Sequence, residues 1–275
     1  MPPFVNKMEQ RKAIHIFLVI AIICLLFGTF YYFYGRVESE LEKYGVPTDY
    51  NVRHMDGFLV SYDTRNRIPF WVLEVINSKN LERSQNNTRK NKYFSPDKTF
   101  YKTFQSTLED YYKSGYDRGH MAAAGNYLHS KDTMQKTFTL SNIAPQVGKG
   151  FNQGLWSNLE QKIRKYIENN VYLTAHILSG PLFIPKKVER NNSTVYIMEY
   201  EVLNGRIAVP THFFKVIIYT NNNKNITYQS YIMPNAKISG SFEKFAQNIS
   251  TIENYAGFRI FPKIDFIKIK RMLEN

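Results

Sequence analysis

The segment between Ser114 and Asn126 combines a histidine and an arginine with three glycines. Histidine ionises close to neutral pH, so His120 can take a proton from water under physiological conditions. Arg118, two residues earlier, carries the forked donors that suit a phosphate group. Glycine allows tight loops and close approach of the backbone to a ligand. The segment is a candidate site for proton transfer beside a phosphate, but a lone histidine is more often structural and both interpretations stay open at this point.

Two further motifs follow in order, LSNIAPQ at 140–146 and FNQGLWSNLE at 151–160. Together with DRGH at 117–120 they resemble the DNA/RNA non-specific endonuclease family of ββα-metal nucleases, and within it the endonuclease G-like mitochondrial group. The resemblance continues through SGPLF, AVPTHFFKV and YIMPNA and covers most of residues 57–262. It implies an α+β fold built on a central mixed or antiparallel sheet.

The resemblance assigns roles to particular residues of the motifs. His120 falls on the general base and Asn152 on the direct metal ligand. Arg118, Asn142 and Glu160 fall on supporting catalytic positions, with Arg118 also contacting substrate. The implied cofactor is Mg²⁺, with Mn²⁺ as a substitute. Two alternatives stay open, since Asn142 could be a turn residue before Pro145 and Glu160 a surface glutamate; for Asp117 we expect a hydrogen bond that stabilises the loop rather than catalysis.

These residue types fit the hydrolysis of a phosphodiester, which needs an activated water and positive charge for the transition state. Mg²⁺ keeps several waters and takes few protein ligands, so one amide oxygen suits it. If Asn152 and Glu160 shared a regular helix, eight residues would separate them by about 12 Å along the axis and roughly 80° around it. Both cannot then bind the ion directly. We expect Asn152 at or before the helix start, loosened by Gly154, and Glu160 acting through metal-bound water.

The sequence departs from the resembled family at one position. Many endonuclease G-like members carry an active-site arginine in a segment of the form F-R-x-D, whereas YFSPDK places Ser95 there. Residues 77–98 are predicted to form an exposed, basic loop. This loop is either a solvated linker or a phosphate-contacting segment, in which Arg89, Lys90 and Lys92 are candidates to bind substrate and to replace the missing cation.

Composition and charge narrow the class of protein. With 43% hydrophobic and 21% charged residues, the chain of 275 residues is globular rather than disordered. Lys and Arg number 36 against 23 Asp and Glu, a formal net charge of +13 that favours a polyanionic partner such as nucleic acid or anionic lipid. The single cysteine, Cys24, excludes an intrachain disulfide and a thiolate zinc site.

The amino-terminal region predicts an anchor. Residues 13–34 contain no Asp, Glu, Lys or Arg and are long enough to span a bilayer. We therefore expect a basic tail at 1–12, a transmembrane helix at 13–34, a linker at 35–50 and a nuclease domain at 51–275. A cleaved signal peptide or presequence is the alternative, but no small-residue cleavage site follows the apolar run.

The coarse pattern of the domain is strand-rich with one helix. Residues 57–76 read as a hairpin, and TFTLSNI, VYLTAHILSGPLFI, VYIMEYEVL, IAVPTHFFKVIIYT and ITYQSYIMP read as strands. Residues 152–169 show apolar positions spaced by three or four, which indicates one amphipathic helix. The Asn-rich stretch at 220–225 is predicted to be a hairpin turn.

The expected function is a membrane-anchored, metal-dependent endonuclease that cuts DNA and RNA. The resemblance also implies a homodimer and a mitochondrial location, with the anchor in the inner membrane and the catalytic domain in the intermembrane space. An uncleaved anchor serves a secretory type II membrane protein equally well. Two other functions remain open: a nuclease-dead nucleic-acid-binding membrane protein, motivated by Ser95, and a tethered domain whose basic face meets anionic lipid.

Overall fold

The computed structural model describes residues 7–85, 87–222 and 225–272. The chain forms two compact units, Met1–Lys43 and Tyr44–Asn275. The second unit contains every segment that the sequence analysis connects with chemistry. We describe each unit by itself.

One helix, α1 (Lys7–Leu41), occupies the first unit. The apolar run at 13–34 is therefore helical. The transmembrane anchor expected over that run is not supported, however. A span needs about 20 predominantly apolar residues, and no helix within the residues described is both long enough and apolar enough to cross a membrane.

The second unit is built mainly of strands. Its strands, in chain order, are β1 (Val52–His54), β2 (Phe58–Asp63), β3 (Ile68–Asn77), β4 (Asp117–His120), β5 (Ile143–Gln146), β6 (Thr174–Leu182), β7 (Lys186–Arg190), β8 (Ser193–Ile197), β9 (Val202–Leu203), β10 (Ile207–Ala208), β11 (His212–Thr220), β12 (Ile226–Pro234) and β13 (Lys270–Arg271). Its α-helices are α2 (Ser78–Leu81), α3 (Lys131–Lys136), α4 (Ser157–Glu168) and α5 (Ile249–Ala256).

Seven strands form the central sheet, in the order β1-β2-β3-β6-β11-β12-β13. Every neighbouring pair is antiparallel except β12 and β13, which are parallel. Three small two-stranded sheets, β4-β5, β7-β8 and β9-β10, complete the strands. The α+β class and the mixed central sheet implied by the family resemblance are confirmed.

Helix α4 covers one face of the central sheet. Leu159, Ile163 and Ile167 recur every four residues on this helix and are buried, as the amphipathic pattern predicts. The contact continues at both ends of the helix. The Trp156 ring lies 5.8 Å from that of Phe213, and the Tyr166 ring lies 5.0 Å from that of Tyr219, measured between centroids. Phe213 and Tyr219 belong to β11, so α4 packs along this strand.

The predicted amphipathic helix begins later than its apolar pattern suggests. The segment Gly148–Trp156 is an irregular helical loop, and regular helix starts only at Ser157. Gly154 has φ −135° and ψ −115°, a backbone conformation that is not helical. Asn152 therefore precedes the break and Glu160 follows it, which is the arrangement expected from the geometry of the two side chains.

The strand predictions agree best with the structure for strands that have a neighbouring strand on each side in the central sheet. The hairpin at 57–76 is β2 and β3, and ITYQSYIMP is β12 over its full length. In contrast, TFTLSNI reaches strand geometry only at Ile143, because a 3-10 turn occupies Leu140–Asn142. VYIMEYEVL is divided between β8 and β9. Part of the predicted turn at 220–225, residues 223–224, lies outside the described residues.

The predicted exposed loop at 77–98 is only partly exposed. It contains α2 and a 3-10 turn at Arg89–Asn91. Asn87 and Asp97 are buried within it. Asp97 accepts a hydrogen bond of 2.6 Å from the Ser141 hydroxyl, and Asn87 donates to the Leu128 carbonyl at 2.8 Å. These contacts fix the loop against the domain, so it is more than a solvated linker.

Glu74 is a carboxyl group inside the core. It lies on β3 with 1% of its surface exposed, between the buried residues Val72 and Ile76 on the same face. Its Oε2 atom accepts a hydrogen bond of 2.9 Å from Asn126, while Oε1 has no partner among the described residues. Burial raises the pKa of Glu74 to about 7, although Lys215 and Asn126 act in the opposite direction. Loss of hydration therefore dominates at this position.

This burial predicts a pH-dependent stability. Because the folded pKa lies above the ordinary value of 4.5, the contribution of Glu74 is most favourable below pH 4.5 and is lost as the pH rises through 7. Between these two pH values, the contribution of Glu74 to the free energy of unfolding changes by about 3 kcal/mol. We expect Glu74→Gln to gain stability relative to wild type between pH 5 and pH 8, measured by chemical unfolding at both values. The exposed Glu168→Gln is the control; an equal effect of Glu74→Gln at both pH values would contradict the prediction.

Candidate active site

The DRGH motif forms strand β4, which pairs with β5 in the register Asp117 to Gln146 and His120 to Ile143. Alternate residues of a strand share a face, so Arg118 and His120 lie on the same side. Phe94 contacts both of them. The Arg118 guanidinium carbon is 4.5 Å from the Phe94 ring centroid, and the ring centroids of Phe94 and His120 are 5.5 Å apart. The side chain of Arg118 is exposed, whereas His120 is buried.

His120 sits in an aromatic environment that keeps it neutral. Its ring is also packed edge-on against Phe138, with 4.7 Å between centroids. The Nε2 atom is buried and has no hydrogen-bond partner among the described residues. Burial, and secondarily the positive charge of Arg89, lowers the pKa of His120 to about 3. The imidazole is thus uncharged at neutral pH, the state in which it can accept a proton.

Asn142 holds the backbone that follows His120. It is fully buried. Its Oδ1 accepts from the Ala122 amide at 2.8 Å, and its Nδ2 donates to the carbonyls of Ala122 and Thr137 at 3.0 and 2.8 Å. Both amide hydrogens are used by the main chain. This geometry suits a residue that positions the catalytic segment, and it leaves Asn142 no free donor for a substrate.

Asp117 connects the strand of His120 with the loop of Asn152. Its Oδ2 accepts hydrogen bonds from Asn152 Nδ2 at 2.8 Å and from Gln153 Nε2 at 2.7 Å. The approach is close, since a Cβ atom on Gly148 would lie 2.9 Å from the Asp117 carboxylate oxygens. With its Nδ2 held in this way, Asn152 retains Oδ1 as the atom available to a cation. The loop-stabilising hydrogen bond expected for Asp117 therefore also orients the candidate metal ligand.

Glu160 lies on the first turn of α4 and is partly buried. Burial raises its pKa, while the positive charges of Lys215, Arg164 and Arg89 oppose that rise. The positive charges of three residues therefore act on this carboxyl group. Arg89 acts on both Glu160 and His120, which brings the candidate base and the helix carboxylate into one electrostatic neighbourhood.

Of the three candidate cations in the basic loop, the structure brings Arg89 to the site. Its guanidinium carbon lies 5.9 Å from the ring centroid of Phe138, the residue that packs on His120. Lys92 instead donates to the Lys131 carbonyl at 2.6 Å, and Lys90 is exposed. The backbone of Ser95, the residue that the resemblance sets against the family arginine, is hydrogen-bonded to Phe138 and Leu140.

The oxygen donors of the site fit a hard, hydrated cation. Asn152 contributes an amide oxygen and Glu160 a carboxylate, on either side of the break at Gly154. Within the described part of the chain, no group of three or more His, Cys, Asp and Glu side chains is arranged to hold a metal ion. Mg²⁺ binds oxygen and retains several waters, so a site with one direct protein ligand and one carboxylate acting through water is compatible with it.

Sequence reasoning missed two residues behind the site, Glu74 and Lys215. Both are charged side chains within otherwise apolar strands, in the segments WVLEVI and HFFKVII. A charged residue within an apolar strand could have indicated them, because a charged side chain is almost never fully buried unless it is paired. The partner of Glu74, Asn126, lies just beyond the DRGH motif in sequence.

Comparison with known proteins identifies the family. The model of the DNA/RNA non-specific endonuclease family matches residues 37–266. Mitochondrial endonuclease G of Caenorhabditis elegans is 38% identical over 83% of this chain and 73% of its own length. The mitochondrial nuclease of Saccharomyces cerevisiae is 35% identical over 86% of this chain and 74% of its own length. Human mitochondrial endonuclease G is 36% identical over 82% of this chain and 74% of its own length.

A solved structure agrees with the fold as well as the sequence. A chain from the crystal structure of the EndoG/EndoGI complex superposes with a TM-score of 0.81 and 34% identity, covering 87% of this chain and 97% of that chain. The present chain belongs to the DNA/RNA non-specific endonuclease family. Within that family, its relatives place it among the endonuclease G-like nucleases.

The hydrogen bonds of Asp117 generate a prediction about metal binding. Asp117→Ala removes the acceptor that orients the Asn152 amide, so we expect Mn²⁺ to bind about 10- to 100-fold more weakly, the usual effect of losing a residue that orients a ligand. Binding is followed by electron paramagnetic resonance titration of the full chain. Gln153→Ala is the matched control because Gln153 bonds the same carboxylate oxygen, and it should stay within about twofold of wild type on the same scale. Unchanged affinity in Asp117→Ala would show that the hydrogen bond does not orient the ligand.

Proposed function

We propose that this protein is a metal-dependent endonuclease that hydrolyses phosphodiester bonds of DNA and RNA, with His120 as the general base. The observation that carries the proposal is the arrangement around β4. A neutral histidine ends the strand, and the carboxylate that begins it holds the Asn152 amide. Strand β4 therefore carries the proton acceptor at one end and holds the candidate metal ligand at the other.

His120 accepts a proton from the water that attacks phosphorus. The new phosphorus–oxygen bond forms as the bond from phosphorus to the 3′-oxygen breaks, and the leaving 3′-oxygen takes a proton from solvent. The products are a 5′-phosphate and a 3′-hydroxyl end, as the family resemblance implies. Negative charge accumulates on the phosphate oxygens during attack. Arg118, exposed beside Phe94, and Arg89, beside Phe138, supply positive charge there. Asn152 and, through water, Glu160 would hold a Mg²⁺ ion, which would supply further electrostatic stabilisation of this charge.

Arg89 supplies the cation that the family position lacks in this chain. It stands six residues before Ser95, yet its charge acts on both His120 and Glu160. The side chain of Lys92 is engaged elsewhere. We assign Arg89 to transition-state stabilisation and Lys90 to long-range attraction of the phosphate backbone. A nuclease-dead binding protein, suggested by Ser95 alone, is less compatible with an arginine at this place.

The proposed substrate and location follow from charge and relatives. A net charge of +13 favours sequence-independent binding to phosphates. Relatives named as mitochondrial endonuclease G and mitochondrial nuclease support a mitochondrial location. The family resemblance also favours a homodimer. Mg²⁺ is the proposed ion, with Mn²⁺ as a substitute.

Cleavage of supercoiled plasmid by the full chain tests the proposal directly. Wild type is expected to nick and degrade DNA with Mg²⁺ and to stop when EDTA is added. His120→Ala and Asn152→Ala should each lower the rate by about 100-fold or more, because a positioned base alone contributes on the order of 10²–10⁴. Equal purity and equal thermal stability of the three proteins exclude contamination and misfolding. Binding of DNA without cleavage in Mg²⁺, Mn²⁺ and Ca²⁺ would favour the nuclease-dead alternative.

The role of Arg89 is separable from that of its neighbour. Arg89→Ala should lower kcat about tenfold, a loss of about 1.4 kcal/mol of transition-state stabilisation, with a smaller change in KM. Lys90→Ala removes the same formal charge one residue away, and it should raise KM with kcat retained. Steady-state kinetics on a short labelled duplex measure both parameters. If the two substitutions changed kcat and KM in the same way, Arg89 would contribute only to the general surface charge.

A further inference from the structure

Lys215 is a buried cation in the central sheet. It lies in the middle of β11 with 1% of its surface exposed, between the buried residues Phe213 and Ile217 on the same face. Its ammonium donates a hydrogen bond of 2.7 Å to the hydroxyl of Ser179, the residue directly opposite on β6. A lysine is rarely buried so completely unless other groups compensate its charge.

The first compensating group is Trp156, above the ammonium. The Lys215 Nζ atom lies 4.5 Å from the ring centroid of Trp156, a cation–π distance. Trp156 is the last residue of the irregular loop, immediately before α4 begins. It stands four residues after Asn152 and four residues before Glu160. The buried ammonium therefore lies under the junction between the candidate ligand and the helix carboxylate.

The second compensating contribution comes from two carboxyl groups. Glu160 on α4 and Glu74 on β3 both act electrostatically on Lys215, against the loss of hydration that lowers its pKa. A chain of hydrogen bonds joins the same helix and strand. Arg164 Nη1 donates to Asn126 Oδ1 at 3.1 Å, and Asn126 Nδ2 donates to Glu74 Oε2 at 2.9 Å. Helix α4 is thus connected to the sheet through polar contacts beside its apolar ones.

Stability alone does not account for this arrangement. Buried ion pairs are often no more stable than apolar side chains of similar volume, and the surrounding core of Phe213 and Ile217 is apolar. The charged arrangement also constrains where neighbouring side chains lie. It fixes the position of Trp156 and presents a positive charge to Glu160 from the side of the sheet.

We propose that Lys215 is a positioning residue for the metal site: its ammonium holds Trp156 and the first turn of α4, so that Glu160 stays in register with Asn152. This inference rests on the proposed metal-dependent nuclease function. Lys215 is 1% exposed, so its action passes through Trp156 and Glu160. Its counter-charge to Glu74 is a separate, structural role.

Two variants separate the positioning role from the structural one. Lys215→Met removes the ammonium and with it the positive charge that acts on Glu74, so it also lowers thermal stability. The double variant Glu74→Gln/Lys215→Met removes both charges and should recover that stability. Mn²⁺ affinity of the full chain is measured by electron paramagnetic resonance titration. We expect about tenfold weaker Mn²⁺ binding in both variants and near wild-type binding in Glu74→Gln alone.

Kinetics provide a second readout. The Mg²⁺ concentration for half-maximal plasmid cleavage should rise by about the same factor of ten in both lysine variants, while kcat at saturating Mg²⁺ changes much less. Lys165→Met, an exposed lysine of α4, is the matched control and should leave the Mg²⁺ requirement unchanged. Recovery of wild-type Mn²⁺ affinity in the double variant, or full affinity in Lys215→Met, would overturn the proposal.

Two further comparisons keep the test decisive. If the lysine variants fail to fold, Trp156→Phe and Trp156→Leu probe the same contact with all charges retained: the ring-containing variant should bind Mn²⁺ more tightly, and equal affinities would reject the proposal. Wild type and Asn152→Ala are titrated alongside. Equal Mn²⁺ binding by these two proteins would refute the proposed metal site itself, whereas a loss confined to Asn152→Ala, with Lys215→Met unaffected, would refute only the role of Lys215.

Discussion

The carboxylate of Asp117 is the contact on which the arrangement of the site depends. It accepts hydrogen bonds from Asn152 at 2.8 Å and Gln153 at 2.7 Å, and so joins the strand that ends in His120 to the loop that leads into α4. An amide side chain presents a donor at one end and an acceptor at the other. Once a carboxylate holds the donor, only the oxygen remains for a cation. A single acidic side chain thus determines which atom of Asn152 is offered and where.

Burial sets the charge states around that contact, and it acts in opposite directions on acids and bases. It lowers the pKa of His120 to about 3 and raises the pKa of Glu74 to about 7. Both shifts follow from the loss of hydration of the charged form. The neutral histidine is suited to accept a proton, and a bound anionic phosphate would strengthen it as a base. Arg89 and Arg118 place positive charge beside the aromatic residues that pack on His120.

The sequence predicted the α+β class and the break before α4, because strand patterns and the position of a glycine are local features. The catalytic roles of the motif residues stay predictions. Gly154 between Asn152 and Glu160 was sufficient to place the break. Long-range pairing was not predictable in the same way. Thr137 to Asn142 has the composition of a strand, but the Asn142 side chain binds the Thr137 carbonyl and a 3-10 turn forms instead. Glu74 and Lys215 act on each other electrostatically across β6, because β3 and β11 both flank that strand, and no spacing in the sequence encodes that neighbourhood.

The cation at the site illustrates why a motif is an incomplete description of an active site. Hydrolysis of a phosphodiester requires positive charge close to the reacting phosphate. The electrostatic effect depends on where that charge lies and not on the sequence position of the residue that carries it. Backbone hydrogen bonds to Phe138 and Leu140 fix the segment around Ser95, the residue that the resemblance sets against the family arginine. That attachment keeps the preceding residues close to the site, and Arg89 reaches the Phe138 ring from there. An arginine six residues before Ser95 therefore acts on His120.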